Sequence, residues 1–309
     1  MVVNHSLPHQ SILECLHSES FRSRYGHVSP DAAEKVSRFG APLGSRIEHY
    51  PKIFRCMARI RELINETEES GSSLPSGTIV LAEELKGGSG RFDREWFAPA
   101  GGIWMALAWA DTLLPDYARL LPLAAGTACC ETIRNFGVEA MIKWVNDIHV
   151  NGRKLGGILC ETLSGSLSGE RYHIIGIGIN CNISRFPEEL RESAVSMQDI
   201  LGTPVDLKKI TVELMAALAW NFGLVHYQEG LELVERDDGI GRSGKGMVLD
   251  AWLKVSDTIG RKVLYGYDVV RQPIYQATVR NVERSGALVM ELQNGETVTE
   301  HSGEIIYLN

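Results

Sequence analysis

The sequence lacks the signals of secretion, membrane insertion and structural metal binding. Its first twenty residues have neither the basic start nor the apolar core of a signal peptide. The most apolar region, 103–121, is interrupted by Asp111, Asp116 and Arg119, which excludes a membrane span. No CxxC motif occurs, and no His/Cys cluster has zinc-ligand spacing. We therefore expect a protein of the reducing cytoplasm that does not bind membranes.

Positive charge is also in short supply. Lys and Arg number 31 against 39 Asp and Glu, which gives a formal net charge of −8. Sequence-independent binding of DNA needs a broad basic surface, so we expect no nucleic-acid partner, although a local basic cluster can still hold a small anion. The 309 residues, 44% of them hydrophobic, suit one large domain with a small companion.

Three regions differ in their patterning. Residues 1–45, with one short helix at 30–40, are expected to be an extension, and no DNA-reading domain is evident in them. Residues 46–258 mix helices and strands, whereas residues 259–309 have five short strands and an Asn-Gly turn, the pattern of a small SH3-like β-barrel. Within the middle region we expect strands at 77–84, 101–109, 139–145 and 172–183, a hairpin at 147–161, and helices at 117–137 and 211–230.

The stretch KGGSGRFDREW, residues 86–96, has the composition of an anion-binding loop. Glycines allow backbone N–H groups to converge on an anion, because no Cβ blocks the approach. Arg91 and Arg94 add charge-assisted contacts to phosphate or carboxylate. The alternative is a solvent-exposed loop with incidental arginines, since glycine-rich loops are common.

Two other glycine motifs fit known nucleotide-binding patterns poorly. Residues 239–246 match the GxxxxGK half of a P-loop, but no buried strand precedes them and the hydroxyl that would bind Mg²⁺ is missing. We therefore expect an inserted surface loop there. The GIGIN run at 176–180 lacks the helix of a dinucleotide fingerprint, so it favours a strand against which a ligand lies.

A third cluster of charge surrounds the predicted hairpin. Lys143 and Asp147 are expected to share one side of its first arm, and Lys154 follows on the second. Solvent-facing charge is the alternative. The neighbouring residues Trp144 and Ile158 are apolar, so a charge at this position is costly and is more readily explained by a function.

In chain order, GGSGRFDREW, KWVND, KLGGIL and GIGIN resemble the motifs of the biotin protein ligases, members of the biotin/lipoate protein ligase family. The resemblance covers roughly residues 46–309. It implies an α+β fold in which a mixed-sheet catalytic domain precedes the SH3-like domain. It also implies an enzyme that uses ATP and Mg²⁺ to adenylate biotin and passes the acyl group to a lysine of a biotin carboxyl carrier protein-like domain. A homodimer is a further implication.

The resemblance implies roles for charged residues of this chain. Lys154 would contact the acyl carbonyl and the α-phosphate, where its charge stabilises the transition state. Arg91 would belong to the loop that orders over the adenylate, and Arg94 would help to neutralise the phosphates.

Further ligand contacts follow from the same resemblance. Asn146 and Asp147 would face the adenylate or its Mg²⁺, with Asn180 near the same metal or a phosphate. Gly176 and Gly178 would let the acyl tail lie along their strand. The remaining expected ligand- and ATP-binding residues are Gly88, Ser89, Gly90, Trp96, Lys143, Gly156 and Gly157.

Departures from the family pattern concern the acid. The family's Ser-Thr-Asn is missing from residues 49–60, Leu85-Lys86 stands for its Gln-Thr, and Ser89 stands for its first loop arginine. Phe54 and Leu85 are expected to make that end of the pocket more apolar. Each polar group of biotin's ring that is buried without a hydrogen-bond partner weakens binding by about 1–3 kcal/mol. Lipoate or another medium-chain acid is therefore an alternative substrate, and a catalytically silent ligand-binding protein is an alternative function.

Overall fold

A seven-stranded mixed sheet is the centre of the computed structural model, which describes residues 8–237 and 246–308. The strand order is β1-β2-β3-β7-β6-β5-β4, with β1 and β2 parallel and all other neighbours antiparallel. The strands are β1 Ile47–Ile53, β2 Thr78–Leu85, β3 Ile103–Ala110, β4 Met141–Lys143, β5 Asp147–Val150, β6 Arg153–Ser164 and β7 Arg171–Ile179. The mixed-sheet prediction is confirmed.

Helices cover both faces of this sheet. They are α1 His9–His17, α2 Glu19–Arg22, α3 Pro30–Gly40, α4 Cys56–Glu69, α5 Pro115–Ala118, α6 Leu121–Asn135, α7 Met197–Leu201, α8 Leu207–Asp237 and α9 Met247–Lys254. Helix α4 packs on one face, against apolar side chains such as Val80 and Ala106, while α6 and α8 cover the other. Because both faces are buried, β3 reads as an unbroken apolar run.

Local sequence signals explain where several elements begin and end. Helix α6 has a proline in its first turn, and the chain leaves it at Gly137, whose φ of 87° lies in the left-handed region. The β5–β6 hairpin turns at Asn151 and Gly152, which have φ values of 50° and 81°. The turn and the end of the helix are confirmed, but the single helix expected at 117–137 is divided into α5 and α6.

The first 45 residues add helices to the core. Helices α1 and α3 pack on α8, and Ile12, Leu16 and Val36 are fully buried there. The expected helix at 30–40 is confirmed as α3. The domain boundaries at residues 45 and 258 stay predictions.

The C-terminal region forms a separate five-stranded antiparallel sheet in the order β11-β10-β9-β8-β12. Its strands are β8 Lys262–Gly266, β9 Tyr275–Val282, β10 Leu288–Leu292, β11 Thr297–Glu300 and β12 Glu304–Tyr307. This arrangement is consistent with the predicted SH3-like domain. The P-loop-like segment lies outside the described residues except for Gly246. Among the described helices, none combines the length and the hydropathy that a membrane span requires.

Candidate functional site

One cavity of about 830 Å³ gathers most of the residues that the sequence singled out. It lies between the first turns of α4, the sheet face formed by β3, β6 and β7, and the glycine-rich loop 86–96. The expected site residues that line it are Gly88, Ser89, Gly90, Arg91, Arg94, Trp96, Asn146, Asp147, Lys154, Gly157, Gly176, Gly178 and Asn180. A smaller cavity of about 80 Å³ adjoins it and is lined by Lys143.

Gly156 is the expected site residue that the structure does not bring to either cavity. It has the parity of Ile158, which is buried on the α6 side of the sheet. A Cβ on Gly156 would lie 2.8 Å from the carbonyl oxygen of Gly178, so this glycine permits close strand pairing instead.

Two ammonium groups and one carboxylate meet at the first residue of β5. Lys154 Nζ lies 2.6 Å from Oδ1 of Asp147, and Lys143 Nζ lies 2.9 Å from Oδ2. Burial disfavours the carboxylate, but the two ammonium groups outweigh it and hold the pKa of Asp147 well below its usual range. The sequence suggested that Lys143 and Asp147 share one arm of the hairpin, but they do not. The chain reverses at 144–146, so they are directly opposed partners on β4 and β5.

The glycine-rich loop closes on itself rather than extending into solvent. The N–H of Trp96 donates to the Gly88 carbonyl (2.9 Å), and the N–H of Gly90 donates to the Arg94 carbonyl (2.9 Å). Phe92 has a φ of 56° at the tip. The loop is therefore a compact turn that brings its arginines to the rim of the cavity.

Both loop arginines are bound by the C-terminal sheet. The guanidinium of Arg94 makes a bidentate pair with Glu304 (3.0 and 2.8 Å) and also contacts Asp268. Arg91 donates to the carbonyl of Gly303 (2.6 Å). The loop is thus joined to β12 and its neighbouring residues, and both arginines have structural partners. Contact of these arginines with phosphate stays a prediction.

The two glycines of β7 accept close side-chain contacts. A Cβ on Gly176 would lie 2.6 Å from Sδ of Met57, and a Cβ on Gly178 would lie 2.9 Å from Nε1 of Trp96. That indole nitrogen is buried and has no hydrogen-bond partner within the described parts of the chain. The Lys154 ammonium lies 5.1 Å from the centroid of the Trp96 ring. These contacts make the cavity a trough bounded by indole and thioether side chains.

The two expected asparagines hold backbone segments together. The amide of Asn146 donates to the Ile158 carbonyl (2.6 Å). Asn180, 3% exposed, donates to the carbonyls of Val195 (3.2 Å) and Lys154 (3.4 Å). These hydrogen bonds hold strand β6, which carries Lys154, against its neighbouring segments.

The donor set does not form a magnesium site by itself. Both oxygens of Asp147 contact ammonium groups, and the amide nitrogen of Asn180 is directed at backbone carbonyls. No group of three His, Cys, Asp or Glu side chains able to hold a metal occurs among residues 8–237 and 246–308. Mg²⁺ prefers carboxylates together with phosphate oxygens and water. Its binding by Asp147 and Asn180 therefore stays a prediction.

On the α4 side of the trough, the lining differs in character. Cys56, 3% exposed, donates from Sγ to the Trp104 carbonyl (3.5 Å), and Leu85 lines the cavity. The expectation for Phe54 was wrong. Its ring packs on Gly87, is 59% exposed and does not line the cavity.

Sequence reasoning missed residues from distant segments. Glu304 and Asp268 bind Arg94 of the glycine-rich loop, from which they are 210 and 174 positions away in the chain. Ser193 accepts the N–H of Lys154 (2.7 Å) through its carbonyl and lines the cavity. Arg61 and Glu161 form an ion pair that also lines it. No local pattern marks such contacts.

Known proteins resemble this chain in both sequence and fold. The model of the biotin/lipoate A/B protein ligase family matches residues 56–182. The bifunctional ligase/repressor BirA of Bacillus subtilis is 33% identical over 181 residues, which are 56% of this chain and 54% of that protein. The biotin–[acetyl-CoA-carboxylase] ligase of Paracoccus denitrificans is 29% identical over 254 residues, 78% of this chain and 95% of that protein.

The structural comparison agrees with the fold described above. A biotin protein ligase from Aquifex aeolicus, solved in complex with biotin and ATP, aligns over 85% of this chain and 99% of its own, with a TM-score of 0.63 and 20% identity. The chain spans about half the length of the Bacillus relatives that it matches. A segment of the chain thus matches the biotin/lipoate A/B protein ligase family, and the chain is similar to biotin ligases in sequence and to a biotin protein ligase in fold.

Proposed function

We propose that the protein activates biotin with ATP as an acyl-adenylate and transfers the acyl group to a lysine of a biotin carboxyl carrier protein-like domain. The observation that carries this proposal is the cavity of about 830 Å³ in which Lys154, Asp147 and the glycine-rich loop meet. The name of the relative from Paracoccus denitrificans, a biotin–[acetyl-CoA-carboxylase] ligase, supports the choice of acid.

In the first step, an oxygen of the acid's carboxylate attacks the α-phosphorus of ATP. A carbon–oxygen–phosphorus linkage forms, and pyrophosphate leaves with the electrons of the broken phosphorus–oxygen bond. Lys154 supplies positive charge where negative charge builds up. Asp147 orients this ammonium group and that of Lys143, because its carboxylate oxygens lie 2.6 and 2.9 Å from the two nitrogens.

In the second step, the carrier's lysine amine attacks the acyl carbon. An amide bond forms, AMP leaves, and the amine proton passes to solvent. The trough walls formed by Trp96 and Met57 surround the acyl chain and limit the access of water that would hydrolyse the adenylate.

A substitution of Lys154 tests this mechanism. Lys154→Ala is expected to lower the rate of biotin-dependent ATP–pyrophosphate exchange by roughly 10²–10³, the usual effect of removing one group that stabilises transition-state charge. The matched control is Lys52→Ala, since Lys52 pairs with Glu84 on the exposed side of β1 and β2, away from the cavity. Full activity in Lys154→Ala, or no exchange with any acid in the wild type, contradicts the proposal.

A second candidate acid is lipoate or another medium-chain acid. It is favoured by Met57 and Leu85, which make the α4 side of the trough more apolar. The same exchange assay with a panel of acids decides between them. Binding of an acid by calorimetry without any exchange would instead indicate a catalytically silent member of the family.

A further inference from the structure

Strand β6 gives the trough a direction. Gly157, Leu159 and Glu161 project from one face of the sheet, since residues two apart share a face, and all three line the cavity. The ammonium-bearing end of Lys154 lies beside Gly157, with Cε 3.4 Å from the position of a Cβ there. Four residues of strand span about 13 Å, so Glu161 lies about that far from the charged end.

The far end of the trough is polar. The carboxylate of Glu161 pairs with the guanidinium of Arg61 on α4, and each side chain is 39% exposed. Arg61 also donates to the Met57 carbonyl (3.4 Å), which holds its stem against the helix. Between the two charged ends the trough is lined by Leu159 and Met57, so an alkyl chain fits the middle and a polar group fits the far end.

Elsewhere on the α4 side of the cavity, the side chains offer little to a polar ring. The thiol of Cys56 donates to the Trp104 carbonyl, and Leu85 has no polar side-chain atom. A ring with N–H donors buried here without acceptors would lose affinity for each unsatisfied group. Glu161 is the carboxylate that the cavity lining provides at this position.

We propose that Glu161 and Arg61 determine which acid the site accepts, by binding a far end that carries N–H donors and a carbonyl acceptor. Glu161 accepts the N–H groups, and Arg61 donates to the carbonyl oxygen. A carboxylate has about four acceptor sites and a guanidinium five N–H donors, so the pair keeps groups for a ligand while its members contact each other. A cyclic urea, as in biotin, has this chemistry.

This inference rests on the proposed function, because it concerns the same acid. It also predicts selection against apolar acids. An acid that ends in a plain alkyl chain brings methylene groups against two charges and desolvates them without replacement hydrogen bonds. The site therefore prefers biotin to octanoate although the middle of the trough would hold either.

The test compares two acids in two variants. Glu161→Leu and Arg61→Leu are expected to lower kcat/KM for biotin in ATP–pyrophosphate exchange by roughly tenfold to hundredfold, the loss of a hydrogen bond to a charged group. With octanoate the change is expected to stay below about threefold, or to be a gain, because no polar contact is lost. Exposed ion pairs contribute little to stability, so both variants should fold.

A matched control comes from the C-terminal sheet. Glu291 pairs with Arg280 (3.0 Å) in a similarly exposed arrangement away from the cavity, so Glu291→Leu is expected to leave both acids unaffected. Circular dichroism of all variants confirms that the fold is retained.

Calorimetric titration with biotin alone separates this inference from the catalytic proposal. Biotin binding that weakens at least about tenfold in both variants supports the inference even if the wild type shows no exchange, which would refute only the proposed catalysis. The inference is overturned if biotin does not bind the wild type, if its affinity is unchanged in the variants, or if both acids lose activity equally.

Discussion

The carboxylate of Asp147 is expected to contribute measurably to stability as well as to catalysis, and Asp147→Asn isolates that contribution. At 2.6 and 2.9 Å, each lysine contact provides a gross attraction of about 6 kcal/mol at an effective dielectric constant of about 20. Desolvation of the carboxylate offsets much of this, and Lys154, 41% exposed, is screened by water. We therefore expect the substitution to lower the free energy of unfolding by about 2 kcal/mol at pH 7.

The pH dependence identifies the cause of this loss. The two ammonium groups keep the pKa of Asp147 below its unfolded-state value, which is about 3.9, so the unfolded chain takes up the proton first as pH falls. The stabilisation is complete above that value and disappears as pH falls through the folded pKa. The difference between wild type and Asp147→Asn should therefore be constant above about pH 5 and shrink below about pH 4.

Urea unfolding followed by tryptophan fluorescence at pH 7, 5 and 3.5 measures this difference. Asp116→Asn is the matched control, because Asp116 is 63% exposed and lies 3.9 Å from Arg119, and it should change stability by less than about 0.5 kcal/mol. A loss of stability in Asp147→Asn that persists undiminished at pH 3.5, or no loss at pH 7, would refute the electrostatic reasoning.

Two further predictions concern packing and the loop. Gly223→Ala should destabilise the protein by about 2 kcal/mol in urea, because its Cβ would lie 2.0 Å from the Val36 carbonyl oxygen, whereas Gly230→Ala on the same helix should be neutral or stabilising. Equal effects would contradict the close α3–α8 contact. Glu304→Gln should speed tryptic cleavage after Arg94 roughly tenfold, since a contact worth about 1.4 kcal/mol restrains the loop. The exposed Glu296→Gln should not, and unchanged cleavage in Glu304→Gln would argue against the restraint.

Much of the fold follows from local sequence signals. The apolar run of β3, the Asn151-Gly152 turn and the glycine after α6 each act within a few residues, so the strands, hairpin and helix that they predict are confirmed. The charged centre was also predictable in part, because Lys154 and Asp147 lie on the two arms of one hairpin.

What the sequence did not reveal depends on long-range packing. The contact between Arg94 and Glu304 joins residues 210 positions apart, and the pairing of Arg61 with Glu161 joins α4 to β6. The error over Lys143 has a physical cause of its own. Because the chain reverses at 144–146, Lys143 and Asp147 face each other on adjacent strands instead of lying along one strand. Both arrangements place the two side chains on the same face of the sheet, so residue parity cannot distinguish them.

The central claim is that this cavity forms an acyl-adenylate. Mass spectrometry of the protein after incubation with ATP and biotin tests it most directly. We predict that the wild type accumulates biotinyl-AMP in its bound fraction and that Lys154→Ala does not. Biotin that binds but yields no adenylate in the wild type would contradict the account.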